Sequence, residues 1–178
     1  IGQVLSAEHS DRIGIGEAAL GGARTRWVVL LGRQDAVIEP LERRQALGAR
    51  GIALAPGRVV EKPYTLSAGR EGLRDVLRGT PRPTAVICGN DVLAIGALAE
   101  CRAQALAVPR ELSVTGFDDL EMAAVVTPGL TTVHFPTTEL GAYAAQHLLA
   151  RLAGKPFERR VELPVELVVR ASTAPPIT

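Results

Sequence analysis

The sequence predicts an α/β protein built on a doubly wound parallel sheet, and three observations carry that prediction. First, short apolar runs of strand length, at 26–32, 84–88 and 112–115, alternate with longer segments of helical period. Second, these runs are apolar throughout, which is the pattern of strands covered on both faces. Third, two of them stop just before polar side chains: Asn90 and Asp91 follow one, Asp118 and Asp119 the other. Polar groups beyond the carboxyl ends of parallel strands line the crevice where ligands bind in such sheets. Alternating strand and helix units of this size call for parallel strands joined by crossover helices.

Each element has its own grounds. The chain opens on Ile1–Leu5, a strand-like run without an initiating methionine, so its first residues are expected to belong to an element whose partners lie upstream. Residues 37–50 are polar-rich with Leu41 and Leu47 recurring, which predicts a surface helix closed by Gly51, and Ile52–Leu54 resumes a short strand. Residues 67–78 form the next helix, with Ser67 as its cap and Leu73, Val76 and Leu77 at helical spacing. The helix expected over 91–106 is apolar nearly all round in its first two turns, so it packs on the sheet. A strand is expected at 130–133. Pro136 then opens a helix running to Ala153, with Leu140, Ala144, Leu148 and Leu152 on one face and Gly154 as its stop. Pro164 interrupts the strand-like runs 161–163 and 165–169, which places them at an edge. The tail from Ala174 to Thr178 is expected to be loose.

Composition narrows the function classes. Across 178 residues, hydrophobic side chains make up 47% and aromatics 3%, so the core is built from Ala, Val, Leu and Ile. The net charge is +1, with both signs interspersed. No basic stripe, zinc spacing or helix-turn-helix is visible, so the chain is not expected to bind nucleic acid by itself. Cys88 and Cys101 lack metal spacing and sit in apolar surroundings, like ordinary buried cysteines. No apolar run reaches membrane-spanning length and no cleavable leader is visible, which reads as a soluble, cytoplasmic chain that does not engage a membrane. No cofactor is expected. Gly14-Ile-Gly16-Glu-Ala-Ala19 matches a dinucleotide fingerprint on paper, but no strand leads into it and no acidic residue ends a second strand at the required distance. His9, His134 and His147 are scattered and make no catalytic set, so an enzyme is not expected.

Residues 81–176 closely resemble the C-terminal half of the ligand-sensing domain of lactose/galactose-repressor (LacI/GalR) transcription regulators. The matching text runs Pro83-Thr-Ala-Val-Ile-Cys-Gly-Asn-Asp-Val-Leu-Ala-Ile-Gly-Ala-Leu98, Val108-Pro109 and Leu112-Ser-Val-Thr-Gly-Phe-Asp-Asp119. It continues through Pro128-Gly-Leu-Thr-Thr-Val133, Leu140-Gly141, Leu163-Pro164 and Arg170-Ala-Ser-Thr173. Each motif is weak alone; together, in order and at family spacing, they are specific. Ser6-Ala-Glu-His9 and Arg24–Gly32 extend the likeness more faintly.

The resemblance implies a fold like the type I periplasmic binding proteins, with two α/β lobes, three crossovers and a ligand in the cleft. The chain would be truncated to mainly the second lobe: residues 1–134 form that lobe, 135–157 a crossover helix belonging to the mostly absent first lobe, and 158–178 the return and a loose tail. It further implies an effector-sensing and dimerisation domain that binds a sugar-like or nucleobase-like molecule. Operator DNA would be met only through an absent N-terminal headpiece. The alternative is a solute-binding protein of the same fold serving a transporter.

The candidate ligand-binding residues are Asn90, Asp118, Ile87, Glu8 and His9. Asn90 can cap the following helix, contact ligand, or do both, since its amide has several bonding positions. Asp118 is either a turn former or the acceptor for ligand hydroxyl or N–H groups. Ile87 is either core or an apolar wall for the ligand, and Glu8 and His9 are rim candidates. Asp91 and Asp119 read as helix-start carboxylates. His134 can approach the cleft, and His147 reads as a surface or interface histidine. Where the family carries a cleft arginine this chain departs: the counterpart is Glu39, with Arg43 and Arg44 later, which disfavours carboxylate or phosphate effectors.

Overall fold

The structure is a computed structural model and describes residues 27–32, 58–156 and 163–175. Four parallel strands form its main sheet: β1 (Trp27–Gly32), β2 (Val59–Lys62), β3 (Ala85–Cys88) and β4 (Ser113–Thr115), in the order β2-β1-β3-β4. Val29 lies opposite both Val59 and Ile87, and Ile87 opposite Thr115. The three apolar runs therefore lie side by side and parallel, as expected. β2 was not among the predicted strands. Its sequence, Val-Val-Glu-Lys, is short and half charged, as suits a strand at the edge of the sheet formed by the described residues.

Helix α1 (Leu66–Leu77) connects β2 to β3, and α2 (Asp91–Ala103) connects β3 to β4. The cap of α1 is Thr65 rather than Ser67: its hydroxyl accepts the Ala68 N–H at 3.1 Å, and Ser67 lies inside the first turn. α2 ends at Ala103, three residues earlier than its apolar pattern suggested, and Ala105 just beyond has φ 53°. The short α3 (Glu121–Val125) precedes β5 (Thr132–His134). β5 pairs antiparallel with β6 (Glu166–Val168), while Thr131 makes a parallel bridge to Thr115.

The core lies between the sheet and these helices, with Leu73, Leu93, Leu112, Leu130, Val86 and Val114 all but fully buried. Burying side chains of this size contributes about 1.5–3 kcal/mol each. α1 and α2 cross closely because glycines meet at the crossing. A Cβ on Gly69 would overlap the Leu93 carbonyl, and one on Gly96 the Leu66 carbonyl. Beside that crossing Glu100, only 2% exposed, accepts from Arg74 at 2.6 and 2.9 Å, Arg70 at 3.1 Å and Gln104 at 2.9 Å.

Residues 170–174 are stitched onto β4. The Ser172 hydroxyl donates to the Val114 carbonyl at 2.6 Å and accepts from the Thr131 N–H, and Val114 N–H donates to the Ser172 carbonyl. Ala174, expected in a loose tail, is held by its N–H to the Ser113 hydroxyl at 3.2 Å. α4 (Thr137–Leu152) starts after Pro136 as the sequence predicted. None of its residues is buried against the described part of the chain, and Tyr143, Leu148, Leu149 and Leu152 are exposed.

Candidate functional site

Because β3 and β4 are parallel neighbours, the residues that follow them emerge at the same edge of the sheet. Asn90 stands two residues beyond Cys88, and Asp118 three beyond Thr115. The sequence predicted this pairing. Asn90 is extended (φ −156°, ψ 175°) and caps α2, its Oδ1 accepting the Leu93 N–H at 3.0 Å. Only the carbonyl end of the side chain is used in this way. Its amide NH₂ meets no acceptor among the described residues, so the capping and ligand readings are compatible.

Asp118 occupies the left-handed half of backbone space, with φ 117°, a conformation that Asp and Asn adopt more readily than most residues. Its N–H donates to the Val133 carbonyl at 3.0 Å, which anchors the backbone to β5. Its half-buried carboxylate receives no hydrogen bond from any described residue. Burial, and secondarily the negative charge of Asp91, push its titration up to about 6. Turn formation therefore uses the backbone of Asp118 and leaves its carboxylate without a donor among the described residues. Ile87, half-buried in β3, sits one residue before the end of its strand. Phe117 and Phe135, both half-buried, stack at 5.5 Å between centroids with planes tilted by 30°, so an aromatic pair flanks the turn that carries Asp118.

Two other carboxylates differ from the sequence reading. Asp91 is the first residue of α2, as expected of a helix-start carboxylate, but it is fully buried and spans elements. Its oxygens accept the Thr132 hydroxyl at 2.6 Å and the Leu120 N–H at 2.8 Å, and burial raises its titration. Asp119 is not a helix-start residue. It precedes the cap of α3 with φ 51°, pairing with Arg170 at 2.7 Å and with His134 Nδ1 at 3.2 Å. His134 is exposed and meets Asp119 at the end of β5. His147 lies on α4 with its ring edge-on to Tyr143.

Thr132 and Arg170 were missed as supporting residues. Both stand in motifs visible in the sequence, but their partners are 41 and 51 residues away, and no local spacing signals a contact of that range. Glu8, His9, Glu39, Arg43, Arg44 and the Gly14–Ala19 segment lie outside the described residues. Among the described residues no group of His, Cys, Asp or Glu could hold a metal ion, and no helix is long and apolar enough to cross a membrane.

A parallel sheet with crossover helices, and polar residues following two neighbouring strand ends, defines an α/β domain of the periplasmic-binding-protein type. The chain belongs to the periplasmic binding protein-like domain family, which it matches over residues 22–173, and within it to the effector-binding domains of LacI/GalR regulators. It is 32% identical over 182 aligned residues to the HTH-type transcriptional repressor PurR of Escherichia fergusonii, an alignment covering 94% of this chain and 53% of that protein. The chain thus spans about half the length of that relative. It resembles a LacI family transcriptional regulator from Bifidobacterium animalis with TM-score 0.81 and 28% identity, covering 96% of this chain and 62% of that one. It also resembles the transcriptional regulator CelR in complex with cellobiose, with TM-score 0.78 and 32% identity, covering 91% and 52%.

Proposed function

We propose that the chain is the effector-sensing part of a bacterial-type transcription regulator, and that a small polar, sugar-like or nucleobase-like molecule binds at the edge formed by Asn90 and Asp118. The carboxylate of Asp118 carries this reading. It is half-buried, lacks a donor among the described residues and is pushed up to about 6, so it is destabilised as an anion until a donor arrives. A ligand hydroxyl or ring N–H supplies that donor, and a charge-assisted bond of this kind is worth about 1.5–3 kcal/mol. The amide of Asn90, without an acceptor among the described residues, adds a donor at the same sheet edge, Ile87 offers an apolar wall, and Phe117 and Phe135 offer aromatic surface for a ring face. Glu8 and His9 are the proposed rim.

In the full-length protein, residues 1–134 and 158–178 would form one lobe, and 135–157 would cross to the other. The exposed apolar residues of α4 support that assignment, since a helix bearing Leu148, Leu149 and Leu152 uncovered is built to meet another surface. Ligand closure of the lobes would shift a homodimer and change operator affinity through a separate DNA-reading headpiece. Such a ligand acts only through its different affinity for the two arrangements. A protein of this kind works in the cytoplasm and needs neither cofactor nor catalysis. The cellobiose complex of CelR and the repressor role of PurR support this over transporter service. The test is a thermal-shift screen of the full-length protein against sugars, polyols and nucleobases, followed by calorimetric titration of the hit with Asp118→Asn. An affinity unchanged in Asp118→Asn would remove this edge from the site. A secretory leader encoded upstream in place of a helix-turn-helix would favour the solute-binding reading.

A further inference from the structure

Asp91 is the fully buried carboxylate of this edge, and the turn carrying Asp118 takes up its polar atoms. Its backbone N–H donates to the Phe117 carbonyl at 2.8 Å, one residue before Asp118. Its Oδ2 accepts from Leu120 N–H at 2.8 Å, two residues after Asp118, and its Oδ1 accepts the Thr132 hydroxyl. The start of the same turn is Gly116, and a Cβ there would overlap the Asp91 carboxylate, so the turn and the carboxylate interlock. Serving the dipole of α2 alone does not require this. A helix-start aspartate does that from the surface, whereas an ionised carboxylate held out of water costs several kcal/mol unless compensated. The described residues bring no cation to Asp91, and its compensation comes from the Thr132 hydroxyl and from the turn N–H groups of Leu120 and Phe117.

We propose that Asp91 is the positioning residue of the ligand site: it clamps residues 116–120 against α2 and β5, so that Asp118 meets the ligand in one fixed orientation. The inference rests on the reading of Asp118 as a ligand group. Asp91 also acts on Asp118 through charge. Burial is the larger cause of the raised Asp118 titration, and the Asp91 anion across the turn is the second. The other titratable or charged groups around the turn, among the described residues, are Asp119 on the turn itself, the exposed Glu121 that opens α3, His134 on β5 and Arg170 beyond β6. Asp119 pairs with His134 and Arg170, and Asp91 is the charge that acts on Asp118.

Two ligand-free measurements on the full chain test the clamp. In carbon NMR with labelled aspartate, the Asp118 carboxyl signal is assigned by its loss in Asp118→Asn and followed through a pH titration. Asp91→Asn preserves the shape: its carbonyl accepts from Leu120, and the Thr132 hydroxyl turns to accept from its amide. The expected result is a folded variant in which the Asp118 midpoint falls from about 6 toward its ordinary value of 3.8. In Asp91→Ala, amide exchange at residues 117–120 should accelerate by about tenfold or more, as loss of the clamp bonds implies, while β3 and β4 stay protected. If Asp91→Ala does not fold, Thr132→Val removes one arm of the clamp and is read by the same exchange. An unmoved Asp118 midpoint in Asp91→Asn overturns the charge effect. Unchanged exchange at 117–120 in Asp91→Ala, or in Thr132→Val where it stands in, overturns the clamp. Neither readout needs a ligand, so failure of the Asp118 binding reading is detected separately, by an effector affinity that Asp118→Asn leaves unchanged.

Discussion

Replacing Asp118 with Asn should make the protein more stable and a poorer sensor. Asn keeps the shape of the side chain and tolerates the φ of 117°, so the turn stays intact and only the charge is lost. The carboxyl of Asp118 titrates at about 6 in the fold against an ordinary 3.8, and each tenfold displacement of an acid equilibrium is about 1.4 kcal/mol. Holding the anion in the fold therefore costs at most about 3 kcal/mol, and partial exposure brings a realistic figure to about 1–3 kcal/mol.

The sign fixes the pH window. With a folded titration raised above the unfolded one, the native state binds more protons between roughly pH 4 and 6. The favourable contribution is fully present below that window and is lost as pH rises through it. Asp118→Asn should thus match the parent near pH 3.5 and exceed it above pH 6.5, by about 2–4 °C in Tm per kcal/mol. Differential scanning calorimetry at several pH values measures this. At pH 7 the same variant should bind effector about ten- to hundredfold more weakly, having lost a charge-assisted bond. For the parent, affinity should fall as the pH drops below 6 and the acceptor becomes protonated. A variant no more stable than the parent at pH 7 would mean that the carboxylate already has its donors, and the reasoning from an unmet anion would fail.

Other outcomes follow from the same structure. Gly69→Ala or Gly96→Ala should destabilise by about 1–3 kcal/mol in chemical denaturation, because each added methyl meets backbone at the α1–α2 crossing. Gly141→Ala on α4 has open space and should be neutral or stabilising by up to about 1 kcal/mol. Hydrogen bonding from Arg74 chiefly, with help from Gln104 and Arg70, holds the Glu100 titration at about 2, so Glu100→Gln should lower Tm at pH 7. That deficit should shrink as pH falls from 4.5 toward 2 and the parent loses the same charge. Sedimentation of this chain at micromolar concentration should show dimers or larger species, since the apolar residues of α4 are uncovered; a clean monomer would count against that face as a contact surface.

The strands and long helices were legible because burial on both faces writes itself as unbroken apolar runs, as in Ala85–Cys88, because α1 carries helical periodicity, and because α2 is an apolar run too long for a strand. Asn90 and Asp118 were legible for the same reason: the ends of such runs mark the edge of the sheet. Local pattern misled where two residues compete for one role, as with Thr65 and Ser67. It was silent on β2, whose apolar content is two residues long. It also misjudged Asp119, since a carboxylate before a short helix looks like a dipole partner until Arg170 arrives from 51 residues downstream. Long-range pairing leaves no local periodic trace, and the second layer of the site consists of such pairs.

That second layer bears on how a ligand could move the protein. Asp118 hangs on Val133 through its N–H, Asp119 holds His134 and Arg170, and Asp91 holds Thr132. The turn that carries Asp118 is therefore tied directly to β5, which leads into the residues 135–157 expected to cross between lobes, and to the segment that follows β6 after the chain returns. A donor placed against Asp118 relieves an anion whose cost is already built into the fold, so part of its binding energy is released at the root of the crossover. If that donor can reach Asp118 only when the lobes are closed, the relief is available to one arrangement alone. A free energy of about 1.5–3 kcal/mol in that position lies in the range of ordinary allosteric coupling, about 1–3 kcal/mol. On the proposed reading Asp118 need not grip the effector tightly for this; what would couple the site to residues 135–157 is a carboxylate that receives no hydrogen bond from any described residue.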